Sequence, residues 1–175
     1  MSRILRAATM AVVMLIGITT AEACGDKLLA LGRGVRFTSA YKVAHPASIV
    51  VLDRDPSGKG HAEARDAMTK VGHRRFDAVH TPEELSTALQ ARAYDVVILD
   101  VADAVAVEEL TQGAASKPSL LVLVTKPSKV QMQAAGKRYR WALKAPATLG
   151  EIMVAIDNAM DYRGKHPVST AALAQ

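Results

Sequence analysis

Four residues able to do chemistry close short apolar runs in this 175-residue chain. Asp53 ends Ser48-Ile-Val-Val-Leu, Asp100 ends Asp95-Val-Val-Ile-Leu, Thr125 ends Leu121-Val-Leu-Val, and Lys144 ends Trp141-Ala-Leu. Strands of a parallel sheet all point one way, so residues at their ends converge on one edge. Two carboxylates, a hydroxyl and an ammonium then share a crevice. Such a set suits a reaction that brings anions together. Carboxylate oxygens offer hard ligands to a divalent cation such as Mg²⁺, and the ammonium neutralises negative charge.

The elements that must position them are legible. Apolar runs of strand type fall at Ile49–Leu52, Phe76–Val79, Val96–Leu99, Leu120–Val124 and Trp141–Leu143. They are continuous rather than alternating, which predicts a sheet covered on both faces. Helical periodicity lies between them: His61 to Val71, residues 104–112, and 128–135. Thr81-Pro82-Glu83-Glu84 and Thr148-Leu-Gly-Glu151 have the form of capping boxes, each opening a helix. Five βα units with right-handed crossovers predict an α/β fold, a three-layer doubly wound sandwich.

The ordered set resembles a response-regulator receiver domain over residues 47–162. The residues carrying the resemblance are Val51-Leu-Asp53-Arg-Asp55-Pro56, Asp95-Val-Val-Ile-Leu-Asp100, Val124-Thr125, Gly136, and Leu143-Lys144-Ala145-Pro146. It implies a flavodoxin-like sheet of five strands in the order 2-1-3-4-5. It also implies that Asp100 is the phosphoacceptor, with Asp53 and Asp55 beside it to hold Mg²⁺, Thr125 to contact the phosphoryl group, and Lys144 to pair with it. The chain departs from the family in two places. Arg54 stands where a second metal-binding acid is usual, and a guanidinium has only donors. It is expected to pair with Asp100 in place of the cation. Ala145 is inserted between Lys144 and its proline, which shapes the loop in that family, so the site is expected to be displaced.

Arg3 and Arg6, the apolar run Ala7–Ile18 and the small residues of Ala21-Glu22-Ala23 have the layout of an export signal. Twelve helical residues span about 18 Å, short of a ~30 Å hydrocarbon core, so cleavage is favoured over an uncleaved anchor. The expected organisation is a signal at 1–23, an N-terminal extension at 24–47, the receiver-like domain at 48–162 and a flexible tail at 163–175. Cys24, the single cysteine, would follow the cut. It is a candidate for lipidation, although Ala21 and Glu22 fit a lipobox poorly. A free or intermolecularly paired thiol is the alternative.

Half of the residues are apolar and 4% are aromatic, enough for one aliphatic core. The net charge of +5 is spread along the chain, which argues against nucleic acid as a partner. His45, His61, His73, His80 and His166 show no zinc-ligand spacing and are expected as surface or internally satisfied side chains. The expected function is therefore an exported, non-catalytic receiver-like module, not an enzyme and without a cofactor. It would bind a protein partner or a second copy through the face around Tyr139, Trp141 and the helix at 149–161. Membrane contact is expected only if Cys24 is lipidated or the signal uncleaved. The alternatives are a working phosphoacceptor at Asp100, with Mg²⁺, and a small-ligand site at the strand-end crevice.

Overall fold

The computed structural model describes residues 29–30 and 42–166, apart from Pro56, Lys59 and Ala115. The expected export signal, Cys24 and the last nine residues lie outside the described residues. Five parallel strands form one sheet: β1 (Ser48–Leu52), β2 (Arg75–Val79), β3 (Val96–Asp100), β4 (Ser119–Thr125) and β5 (Trp141–Ala145). Their order is β2-β1-β3-β4-β5. Helices α1 (His61–Val71), α2 (Pro82–Ala91), α3 (Ala104–Gln112), α4 (Lys129–Arg138) and α5 (Leu149–Lys165) connect and follow them. This is the expected flavodoxin-like three-layer fold.

Strand alternation divides the core. Ile49 and Val51, Val96 and Ile98, and Leu121 and Leu123 pack with α1 and α5. Val50 and Leu52, Val97 and Leu99, and Val122 pack with α2 and α3. Local chemistry fixes where the helices begin. The Thr81 hydroxyl accepts from the Glu84 N–H, with Pro82 opening α2. Ser128 with Gln131 and Thr148 with Glu151 form reciprocal capping boxes on α4 and α5. Helix α1 ends on Gly72 at φ +110°, a conformation that glycine adopts without a Cβ penalty.

The compact unit extends beyond the expected boundaries at both ends. Ala47 is fully buried, and Val43 packs on the α1–α5 side of the core. Leu29–Ala30 pair in parallel with Ala147–Thr148, just past β5. Helix α5 continues through Lys165. Arg163 donates to the carbonyls of Asp95, at 2.7 Å, and Ser116, at 3.1 Å, so residue 163 anchors the helix to the sheet.

Candidate functional site

Asp53, Asp100 and Thr125 each continue the α1–α5 alternation of their strands to the C-terminal edge of the sheet. Asp100 is in register with Leu123, two residues before Thr125 on the same face. The two side chains meet: the Thr125 hydroxyl donates to Asp100 Oδ2 at 2.8 Å. The other carboxylate oxygen accepts the Ala102 N–H at 2.9 Å, closing a turn at the strand end. Asp100 remains partly exposed.

Lys144 does not join them. In the register of β4 and β5, Lys144 lies beside Val124 and Ala145 lies beside Thr125. Leu143 and Ala145 pack on the α1–α5 side, whereas Ala142 packs on the other. Lys144, two residues after Ala142, therefore projects from the face opposite Asp100. It is exposed and, among the described residues, has neither a hydrogen bond nor an ion pair. The inserted Ala145 is the physical reason, because a one-residue step along a strand reverses the face of a side chain.

Arg54 does not reach Asp100 either. Its Nη2 donates to Asp103 Oδ1 and its Nε to Asp103 Oδ2 at 3.0 Å. This corrects the expected Arg54–Asp100 pairing. Arg54 follows Leu52 by two residues on the α2–α3 side, where Asp103 begins α3. The fork geometry makes both hydrogen bonds at once. These bonds, and next the charge of the carboxylate, push the guanidinium above the ordinary arginine range.

Asp53 is buried and engaged by a residue that the spacing of histidines did not single out. His61, first residue of α1, places Nε2 2.8 Å from Asp53 Oδ2, and Asp53 Oδ1 accepts the Asp55 N–H at 3.0 Å. His80 places Nδ1 2.8 Å from the Asp53 carbonyl oxygen and stacks on His61 with ring centroids 5.8 Å apart. A carbonyl only accepts, so His80 carries its hydrogen on Nδ1. Asp55 accepts the N–H and hydroxyl of Ser57, both at 2.9 Å.

A receiver-type site would need Mg²⁺ held by Asp53, Asp55 and Asp100. The residues present do not fit that ion. Both Asp53 oxygens already accept hydrogen bonds, Arg54 supplies only donors, and among the described residues no three His, Cys, Asp or Glu side chains gather as a ligand set.

No protein-family model matches this chain. No curated protein matches it either.

The sequence-level expectations thus divide. The structure brings Asp100 and Thr125 together, keeps Asp53 nearby but bound to His61, and turns Lys144 and Arg54 to the other face. Asp103 was missed, whereas His61 and His80, expected as surface or internally satisfied side chains, are satisfied against Asp53. Asp103 is 49 residues from Arg54, with no pattern linking them. His61 lies only eight residues from Asp53 in the same βα loop, which was a usable signal. On the face expected to meet a partner, Tyr139 is buried in the core. What remains there is the exposed Val154 and a cluster in which the exposed Arg140 lies 4.1 Å above the half-buried Tyr162 ring and the half-buried Trp141 meets that ring edge-on at 6.3 Å.

Proposed function

We propose that this protein is an exported receiver-like module that has lost phosphoacceptor chemistry and works by binding a protein partner or a second copy of itself. The observation that carries this reading is the register of β5. Ala145 occupies the place beside Thr125, and Lys144 faces away from Asp100. Phosphoryl transfer to a carboxylate accumulates negative charge, and neither the Lys144 ammonium nor the Arg54 guanidinium is placed to offset it. The Thr125–Asp100 hydrogen bond is then an inherited contact that closes the strand ends. The partner face is formed by Trp141, Arg140, Tyr162 and the exposed side of α5. An aromatic–arginine surface of this kind is the type that anchors protein interfaces.

The test is incubation with acetyl phosphate and Mg²⁺, followed by intact mass analysis. No adduct is expected. An adduct on the wild type that disappears in Asp100→Ala would overturn the reading. For the binding half, sedimentation of the wild type and of Val154→Asp compares self-association directly.

A further inference from the structure

The C-terminal edge of the sheet is divided by charge. On the β1–β2 side stand Asp53, Asp55, Glu83 and Glu84. On the β4–β5 side stand Lys126, Lys129 and Lys144, all exposed. Register places Lys144 next to Val124, two residues before Lys126, so these ammonium groups occupy one corner. The acid nearest in sequence to that corner, Glu151, is engaged by the N–H and hydroxyl of Thr148 in the α5 capping box. Lys126, Lys129 and Lys144 have no ion pair among the described residues.

The same corner receives the N-terminal chain. Leu29–Ala30 pair with Ala147–Thr148, the residues that join β5 to α5. Cys24 lies only five residues before Leu29. Extended chain covers at most ~3.6 Å per residue, so the stretch from Leu29 back to Cys24 can span at most roughly 18 Å. From Ile18, the end of the apolar run, the limit is about 40 Å. An attachment at either point therefore keeps the basic corner within reach of the bilayer, and its charge selects it over the acidic one on an anionic surface.

We propose that the β4–β5 corner, through Lys126, Lys129 and Lys144, docks on an anionic bilayer surface, kept within reach of it by the N-terminal chain paired at Ala147–Thr148. The inference rests on membrane attachment through the apolar run or Cys24, and it is independent of whether Asp100 accepts phosphate. The occupant is a lipid surface because two observations coincide: unpaired positive charge, and a chain whose apolar end lies within reach. Attraction of lysines to an anionic surface falls off within a Debye length, so docking needs that short tether.

The test uses the full chain reconstituted in vesicles of phosphatidylcholine alone or with one quarter phosphatidylglycerol. A membrane-impermeant amine reagent and mass spectrometry then measure the labelling of each lysine. Lys126, Lys129 and Lys144 should be protected in anionic vesicles and restored by high salt. Lys70 and Lys117, at the opposite edge of the sheet, should label equally in both. Glutamate at all three positions (K126E/K129E/K144E) should abolish this difference, and each single neutralisation to glutamine should weaken docking roughly fivefold. A chain that does not float with vesicles, equal labelling in both compositions, or protection of Lys70 and Lys117 alike would each overturn the proposal. Because the three lysines are exposed, a circular dichroism spectrum matching the wild type is expected for the triple variant. If that variant is misfolded, the salt reversal and the Lys70 and Lys117 comparison on the wild type decide the matter.

Discussion

Lys144 pairs with Val124 in the sheet, one place short of Thr125. That single step separates the only strand-end lysine of β5 from the carboxylate it was expected to serve. Asp100 keeps its hydroxyl partner, while its expected cation stands on the other face.

The first prediction follows from the exposure of Lys144. It has no partner among the described residues, so Lys144→Ala should change unfolding free energy by less than about 0.5 kcal/mol. Thr125→Ala, which removes a hydrogen bond to Asp100, should cost about 1 kcal/mol. Urea titrations of the two variants compare them. Equal and large losses would mean that Lys144 holds the strand ends after all.

Arg54 and Asp103 give a second prediction. Asp103 is 6% exposed, so removing its partner leaves a buried carboxylate with lost donors. Arg54→Ala should destabilise by about 1–3 kcal/mol. Because Arg54 is itself largely exposed, the lower part of that range is expected. Arg54→Lys should recover only part of the loss, since an ammonium cannot form the fork. A double-mutant cycle with Asp103→Ala measures the coupling; additive effects would show that the two side chains do not support each other.

How much of this was legible beforehand is uneven. The five strands and the caps at Thr81 and Thr148 could be read because their signals are local: apolar runs, a hydroxyl, and an acid three residues on. A displacement of the site was visible as the inserted Ala145, but that Lys144 changes face follows only from the β4–β5 register and period-two alternation. The Arg54–Asp103 pair could not be read, because it depends on two loops meeting across the sheet edge. The anchoring of Arg163 was hidden for the same kind of reason. Its acceptors are backbone carbonyls of Asp95 and Ser116, which carry no sequence signature.

A third prediction concerns pH. His73 is 4% exposed; its Nδ1 accepts the Ala47 N–H, and its Nε2 has no partner among the described residues. Burial pushes the imidazole below its ordinary range, with Asp157 opposing weakly. The unfolded chain then takes up the proton first, near pH 6.5. The contribution of His73 to stability is complete above that pH and is lost as pH falls towards the folded value. Denaturant midpoints at pH 7.5 and 5.5 should differ more in the wild type than in His73→Phe. An equal difference would remove His73 from the account.

The fourth prediction concerns the buried Asp53. With His61→Ala the carboxylate keeps the Asp55 N–H but loses its imidazole partner. A loss of about 1–3 kcal/mol is expected. His61→Gln, able to donate to the same oxygen, should retain more stability than His61→Ala. Thermal unfolding in the same buffer ranks the two; a reversed order would mean that packing of the ring, not its hydrogen bond, matters at this position.

The most direct test of the central claim is a ¹H–¹⁵N NMR titration with Mg²⁺ and beryllium fluoride, following the amides of Asp53, Asp100, Ala102, Thr125 and Lys144. With Lys144 on the opposite face and Asp53 held by His61, these signals should stay where they are across the titration. Saturable shifts of the Asp100 and Thr125 amides that vanish in Asp100→Ala would show a competent phosphoryl site and contradict the account.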